Sequence, residues 1–267
     1  MAKVDILLPF WGDVSLLKKA VESVLNQSET DWQLLVFDDC YPSEESERYF
    51  AKLNDRRIRY TRHSKNIGIT KNFNFAAKAA KAKYCVMMGC DDIMLPNYLE
   101  RSLQLIEDAD FYQPRVVVIN ERGEQCLPLG DRIKRILRPR KSGIHSGQKL
   151  ATSLCHGNWL YFPSILWKTD LIKKFGFDNH YGVTQDVDLE FKIILSGGQL
   201  YIDNQTTFQY RRFSESVSSK EKKTGKRFDE EDKVYKDYAT KFAAKGWKRA
   251  ALASRLRITS RLHNLMN

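Results

Sequence analysis

Four short apolar runs in the first hundred residues, each separated from the next by a helical repeat, restrict the fold more than any other feature. Val4 to Pro9, Gln33 to Phe37, Ile58 to Thr61 and Tyr84 to Met88 read as strands. Between them, the spacing predicts a helix over Val14 to Asn26, with Val14, Leu17, Val21, Val24 and Leu25 on one face. It also predicts a Ser43-capped helix to Leu53 and a third helix over Thr70 to Lys81. This βαβαβαβ order predicts an α/β fold: a mostly parallel sheet with right-handed crossovers and helices on both faces. In such a sheet the carboxyl ends of the strands meet at one edge, where open α/β folds bind ligands.

Beyond this point the pattern changes. Pro96 to Glu107 reads as a helix and Arg115 to Asn120 as a strand, with Glu121, Arg122, Gly123 and Glu124 as a hairpin turn. Arg132 to Lys141 is basic, carries Pro139 and precedes Gly143, and reads as a surface loop. A helix from Ser146, a Pro163-led strand and a Thr169-capped helix ending at Gly176 follow. Asp186 to Ser196 is a helix stopped by Gly197 and Gly198, and two strands lie near Leu200 and Phe208. After Ser219 the composition is helical, with a break expected at Gly246.

Composition narrows the class. Of 267 residues, 42% are hydrophobic and 12% aromatic, enough for a substantial globular core. No apolar run reaches the roughly 18 residues of a membrane span, and Met1, Ala2 and Lys3 run straight into a strand-like segment without a signal-peptide pattern. The expected location is cytoplasmic, including the inner face of the membrane. Cys40, Cys85, Cys90, Cys126 and Cys155 form no C-x-x-C pair, which argues against a disulfide framework or a zinc site. The net charge of +11 is concentrated in residues 219–267, where 14 Lys or Arg face 6 Asp or Glu. We therefore divide the chain into a main domain, 1–218, and a basic helical extension, 219–267, suited to an anionic partner.

Asp91 and Asp92 directly follow the fourth strand, which places two carboxylates at the ligand edge. Paired carboxylates there suit Mg²⁺ or Mn²⁺ together with a phosphorylated substrate; the alternative is a solvated turn before the next helix. Three further groups occupy strand ends: Pro9, Phe10 and Trp11 after the first, Asp38 and Asp39 after the second, and Asn66, Gly68, Lys71 and Asn72 after the third. An aromatic face, a carboxylate, a cation and a metal-binding pair together describe a nucleoside diphosphate site.

These segments, continued through Phe175, Gly176, Phe177, Asp178, Gln185, Asp186, Tyr210, Arg211 and Arg212, resemble family 2 glycosyltransferases of the GT-A fold over residues 3 to 218. The resemblance implies an inverting enzyme that moves a sugar from a UDP-sugar to a hydroxyl of a glycan or lipid-linked acceptor. It places Pro9 and Trp11 in the nucleobase pocket, Asp39 on the uracil ring, and Lys71 near the ribose, where an Arg is commoner. Asn66 belongs to the same edge or simply forms a turn. Asp91 would face the ribose or a metal-bound water, Asp92 would ligate Mn²⁺ or Mg²⁺, and Arg211 and Arg212 would close over the diphosphate. Asp186 would be the general base. Gln185 stands where the family usually carries Glu, and Phe213 where a His is common. On the acceptor side we place His156, Gln185 and Trp159, the last either a platform for a sugar ring or a core residue. Two other readings stay open: a GT-A-like module that binds without catalysing, kept alive by Gln185 and Phe213, and a nucleotidyltransferase, which has no need of Asp186.

In the tail, Leu252, Leu256, Leu262 and Met266 fall on one helical face, with Arg257 and Arg261 opposite. Such a basic amphipathic helix either attaches to an anionic membrane surface or packs on the main domain with its charges solvated. Nucleic-acid binding is not expected, because no recognised motif accompanies the charge.

Overall fold

The computed structural model describes residues 2–213 and 226–256. Its strands are β1 (Val4–Phe10), β2 (Trp32–Asp38), β3 (Ile58–Arg62), β4 (Tyr84–Met87), β5 (Ile93–Met94), β6 (Phe111–Ile119), β7 (Gly143–Ser146), β8 (Leu166–Lys168) and β9 (Gln199–Arg211). Its α-helices are α1 (Val14–Leu25), α2 (Glu45–Lys52), α3 (Ile69–Ala79), α4 (Tyr98–Leu105), α5 (Leu129–Leu137), α6 (Gly147–His156), α7 (Thr169–Phe175), α8 (Gln185–Leu195), α9 (Lys226–Ala244) and α10 (Lys248–Leu256).

The strands form one sheet in the order β3-β2-β1-β4-β8-β6-β9-β5, with β7 attached to β9. The first four strands are parallel, as the alternation of strands and helices requires. β8 then runs antiparallel to β4 and β6, while β6 and β9 pair in parallel. β1 is central and sandwiched, so its side chains divide by the period of two between two cores. Ile6 and Leu8 meet Leu17, Val21 and Tyr98 on one face. Leu7 meets Ala76, Ala77 and Met87 on the other.

The described helices of the tail belong to that second core. Val234, Tyr238 and Phe242 of α9 and Ala250 of α10 are buried with Leu150, Leu154 and Phe191, a burial that contributes on the order of 1.5–3 kcal/mol per large side chain. Leu252 and Leu256 instead stay 57% and 43% exposed. Leu262, Met266, Arg257 and Arg261 lie outside the described residues.

The largest differences from the sequence expectation lie in three segments. The basic stretch read as a loop contains helix α5: Pro128 precedes it, Ile133, Ile136 and Leu137 repeat at helical spacing, and Pro139 stops it. The two strands near Leu200 and Phe208 are one continuous strand, β9. Its polar middle looked like a turn, but Asp203 is buried and accepts from Arg101, Tyr112 and the Gln205 amide, beside a register shift in the β6 pairing. The hairpin turn forms over Asn120–Glu124, yet its return is a single bridge between Ile119 and Gln125.

Candidate active site

The parallel strands deliver their carboxyl ends to one edge, and short-range hydrogen bonds fix what stands there. Trp11, just after β1, is 56% exposed and meets Tyr41 edge-on at 5.8 Å. Pro9 lies within β1, opposite Phe37. Asp38 is structural: it accepts from the Tyr41 amide, Ser46 and Tyr60. Asp39 accepts from the amides of Ile67 and Gly68 at 2.7 and 2.9 Å, which draws the loop after β3 onto the edge. Asn72 reaches back to the Phe37 carbonyl, so the start of α3 is tied to the end of β2. Asn66 is exposed and turns the loop through the Gly68 amide, and Lys71 is exposed on the first turn of α3.

The carboxylate pair follows β4. Asp92 is buried, its Oδ1 accepting from the Arg211 amide at 2.8 Å. A Cβ on Gly89 would press on Asp92 Oδ2 and crowd Asp91 Oδ1, so glycine leaves room for both carboxylates to fold over it. Burial lifts both carboxyls above their ordinary range, and the charge of Asp91 lifts Asp92 further. Buried Asp92 and half-buried Asp91, both with raised proton affinity and folded over one glycine, would suit a hard divalent cation. Such ions take one or two carboxylates and complete their shell with water and substrate phosphate. Among the described residues no group of three or more His, Cys, Asp or Glu could hold a metal ion, so an ion held here would take most of its shell from water and substrate.

Arg211 occupies a different place from the one the resemblance implied. Its guanidinium is buried and donates to the carbonyls of Asp91, Asn120 and Glu121. It therefore clamps the carboxylate loop to the end of β6 and is not available to a diphosphate. Arg212 points elsewhere: Nε and Nη2 engage both oxygens of buried Asp131 of α5, at 3.1 and 2.8 Å, and its guanidinium lies 4.8 Å from the Tyr210 ring. Burial raises the Asp131 carboxyl, but the Arg212 hydrogen bonds and charge outweigh it and hold the group below its usual range.

Asp186 sits in the first turn of α8 and accepts from the Val187 amide. The turn before it is gripped by α9, where Glu230 accepts from the Val183 amide, Asp237 from the Tyr181 hydroxyl, and Tyr238 donates to Asp188. Four residues on, and so on the same helical face, Glu190 is 1% exposed and accepts from Asn158. Burial, reinforced by the charge of Asp186, pushes Glu190 well above the usual carboxylate range. Lys134 of α5 donates to the Leu160 carbonyl at 2.6 Å and lies over Tyr161, whose hydroxyl donates to Asp131. Burial and the charge of Arg212 push Lys134 down to about 8, against the pull of Asp131, Asp186 and Glu190. A chain of charges thus runs from Asp92 through Arg212, Asp131 and Lys134 to Asp186.

Asp131 and Lys134 were missed in the sequence because α5 read as a loop, and Tyr161 and Glu190 because their partners lie far away in the chain. The one local signal was Asp131 in a helix first turn between two prolines. Of the expected acceptor residues, Gln185 is buried beside Asp186 and His156 is exposed at the end of α6. Trp159 belongs to the core: it is 1% exposed and its indole donates to Ser153, so it offers no face to a sugar.

A mixed α/β sheet with an acidic pair at its parallel edge is the GT-A architecture. Residues 1–349 of Staphylococcus aureus TarS, in a crystal structure with UDP-GlcNAc, share this fold with a TM-score of 0.65 at 14% identity, over 87% of this chain and 65% of that one. The sequence pattern of the family described as glycosyl transferase family 2 matches residues 5–170, and the chain belongs to that family. It is 24% identical over 200 residues to the uncharacterized glycosyltransferase MJ1057 of Methanocaldococcus jannaschii, covering 73% of this chain and 65% of that protein. It is 26% identical over 216 residues to the uncharacterized glycosyltransferase RT0329 of Rickettsia typhi, covering 78% and 63%. The chain thus spans just under two thirds of the length of these curated relatives.

Proposed function

We propose that this family 2 glycosyltransferase moves a sugar from a UDP-sugar to a hydroxyl of a glycan or lipid-linked acceptor by a single inverting displacement. The observation that carries the reading is the placement of two acidic centres on different elements: Asp91 and Asp92 after the parallel strand β4 and Asp186 in the first turn of α8, with the Arg212–Asp131 ion pair as a further fixed charge. The UDP and UDP-GlcNAc complexes of TarS support a UDP-sugar donor.

Trp11 would stack on the uracil, with Pro9 beneath and Asp39 and Lys71 toward the ring and ribose. Asp186 takes the proton of the acceptor hydroxyl as that oxygen forms its bond to the anomeric carbon. The bond from that carbon to the diphosphate oxygen breaks with its electron pair leaving on UDP, so configuration inverts. Mg²⁺ or Mn²⁺, held by Asp92 with Asp91 beside it, would offset the negative charge that grows on the diphosphate. Arg212 adds a fixed positive charge, oriented by Asp131. Gln185, in place of the family's usual Glu, leaves Asp186 as the sole carboxylate of its dipeptide.

The test is a panel of UDP-sugars with Mn²⁺ or Mg²⁺, read as UDP release in the presence of sugar acceptors. Release with at least one donor is the expected result. Pyrophosphate release from a nucleoside triphosphate would point instead to nucleotidyl transfer, and absence of both would leave a binding module.

A further inference from the structure

Helix α5 is amphipathic in the reverse of the usual sense. Asp131, Lys134 and Arg138 recur at helical spacing and face the body of the protein, where they engage Arg212, the Leu160 carbonyl, and Asn204 with the Asp203 carbonyl. The opposite stripe is apolar and points to solvent. Leu129 and Ile136, seven residues apart, are 43% and 74% exposed, Ile133 between them is half-buried, and Leu127 ahead of the helix is 37% exposed. A surface helix ordinarily turns its apolar stripe to the core and its charges to water. Here the three inward contacts fix the rotation, so the outward stripe is a built feature of the fold.

Charge decides what such a stripe suits. Between residues 127 and 144 there are six Lys or Arg and one acid, Asp131, and that acid is buried against Arg212. Arg132, Arg135, Arg140 and Lys141 are all exposed. Exposed aliphatic side chains flanked by cations of a single sign match the boundary between headgroups and acyl chains of an anionic bilayer. A protein partner or a second copy of this chain would be met by charges of both signs, and a nucleic acid would have no use for Leu129 and Ile136.

We propose that the outer face of α5 seats the protein on an anionic phospholipid surface, with Leu129 and Ile136 entering the interface and the flanking arginines meeting the headgroups. The same helix holds Asp131 and Lys134 on its inner face, so the seat lies one helix diameter from the acceptor side of the site. This inference is independent of the reaction catalysed. It also moves the expected membrane contact from the C-terminal segment to the middle of the chain.

The test is co-sedimentation of the full-length protein with vesicles of phosphatidylcholine alone or mixed with phosphatidylglycerol. The parent should bind the mixed vesicles and not the neutral ones. Ile136→Asp should weaken binding about tenfold or more, the effect expected for losing one buried aliphatic side chain. Arg132→Glu with Arg135→Glu should weaken it by at least about tenfold, and added salt should do the same. UDP titration of these variants, unchanged from the parent, would show that the fold is intact. Failure of the parent to bind, or binding undiminished in Ile136→Asp, overturns the proposal. So does loss of binding only in Arg257→Glu with Arg261→Glu. Self-association or duplex DNA binding that depends on the same α5 residues, without vesicle binding, also overturns it. A parent that binds vesicles but no UDP would sink the glycosyl-transfer reading alone.

Discussion

Along the donor edge, the acids and amides are held by backbone close to the strand ends: Asp39 by the amides of Ile67 and Gly68, Asn72 by the Phe37 carbonyl, Asp92 by the Arg211 amide. Between this edge and α8 they are held by other side chains: Arg212 by Asp131, Glu190 by Asn158, with Lys134 between the two groups. Strand ends keep their geometry whichever side chain is changed, because the sheet itself supports them. Paired side chains do not, since removing one partner leaves the other desolvated and uncompensated. The two halves of one site should therefore respond differently to substitution.

The largest effect is expected at Asp186. Asp186→Asn should cut transfer by roughly a thousandfold, within the usual range for losing a general base, while UDP affinity stays close to that of the parent. Transfer rates and calorimetric UDP titration check the two parts separately.

Next is the buried pair. Asp131→Asn should cost roughly 2–4 kcal/mol of stability by leaving Arg212 without its counter-charge. Because the folded Asp131 carboxyl lies below its ordinary value, its contribution is present above the unfolded value and is lost as pH falls through the folded one. Denaturant melts of parent and variant should therefore converge in acid. A variant as stable as the parent at neutral pH would break the contrast between the two halves.

A smaller effect, and the opposite pattern, is expected at Trp11. Because that side chain is 56% exposed, Trp11→Ala should leave the melting temperature unchanged yet weaken UDP binding by about tenfold, the loss of one stacked base. A large drop in melting temperature would show that the donor edge also depends on side-chain packing.

Lys134→Met should give the smallest effect. Unfolded, Lys134 holds its proton to about 10.5; folded, it releases it near 8. Between those values the unfolded chain binds more protons, so stability rises with pH across the window, and below it the buried cation is a burden. The variant should melt about 2 °C higher than the parent near pH 7, with the advantage fading toward pH 10.

The same contrast explains what could be read from the sequence. Trp11, Asp39 and Asp92 each stand within a few residues of an apolar run, so finding the strand finds the group. Asp131 and Arg212 are 81 residues apart, and Asn158 and Glu190 are 32 apart. Nothing local announces such pairs. Arg211 misled because its neighbour Arg212 carries the same charge; only the strand's alternation decides which of the two turns inward. Trp159 was left between two readings, and its burial beneath α6 resolves it. Helix α5 was missed because six cations and two prolines outweighed an apolar repeat that does not face the core.

The central claim is that donor and acceptor chemistry are separately anchored, the first at Asp92 and the second at Asp186. Calorimetric titration of UDP with Mn²⁺ into the parent, Asp92→Asn and Asp186→Asn tests it most directly. Saturable binding by the parent, weakened at least about tenfold in Asp92→Asn or by a chelator and retained in Asp186→Asn, is the expected result. Equal UDP affinity in the parent and Asp92→Asn, or its loss in Asp186→Asn with the fold intact, would contradict the account.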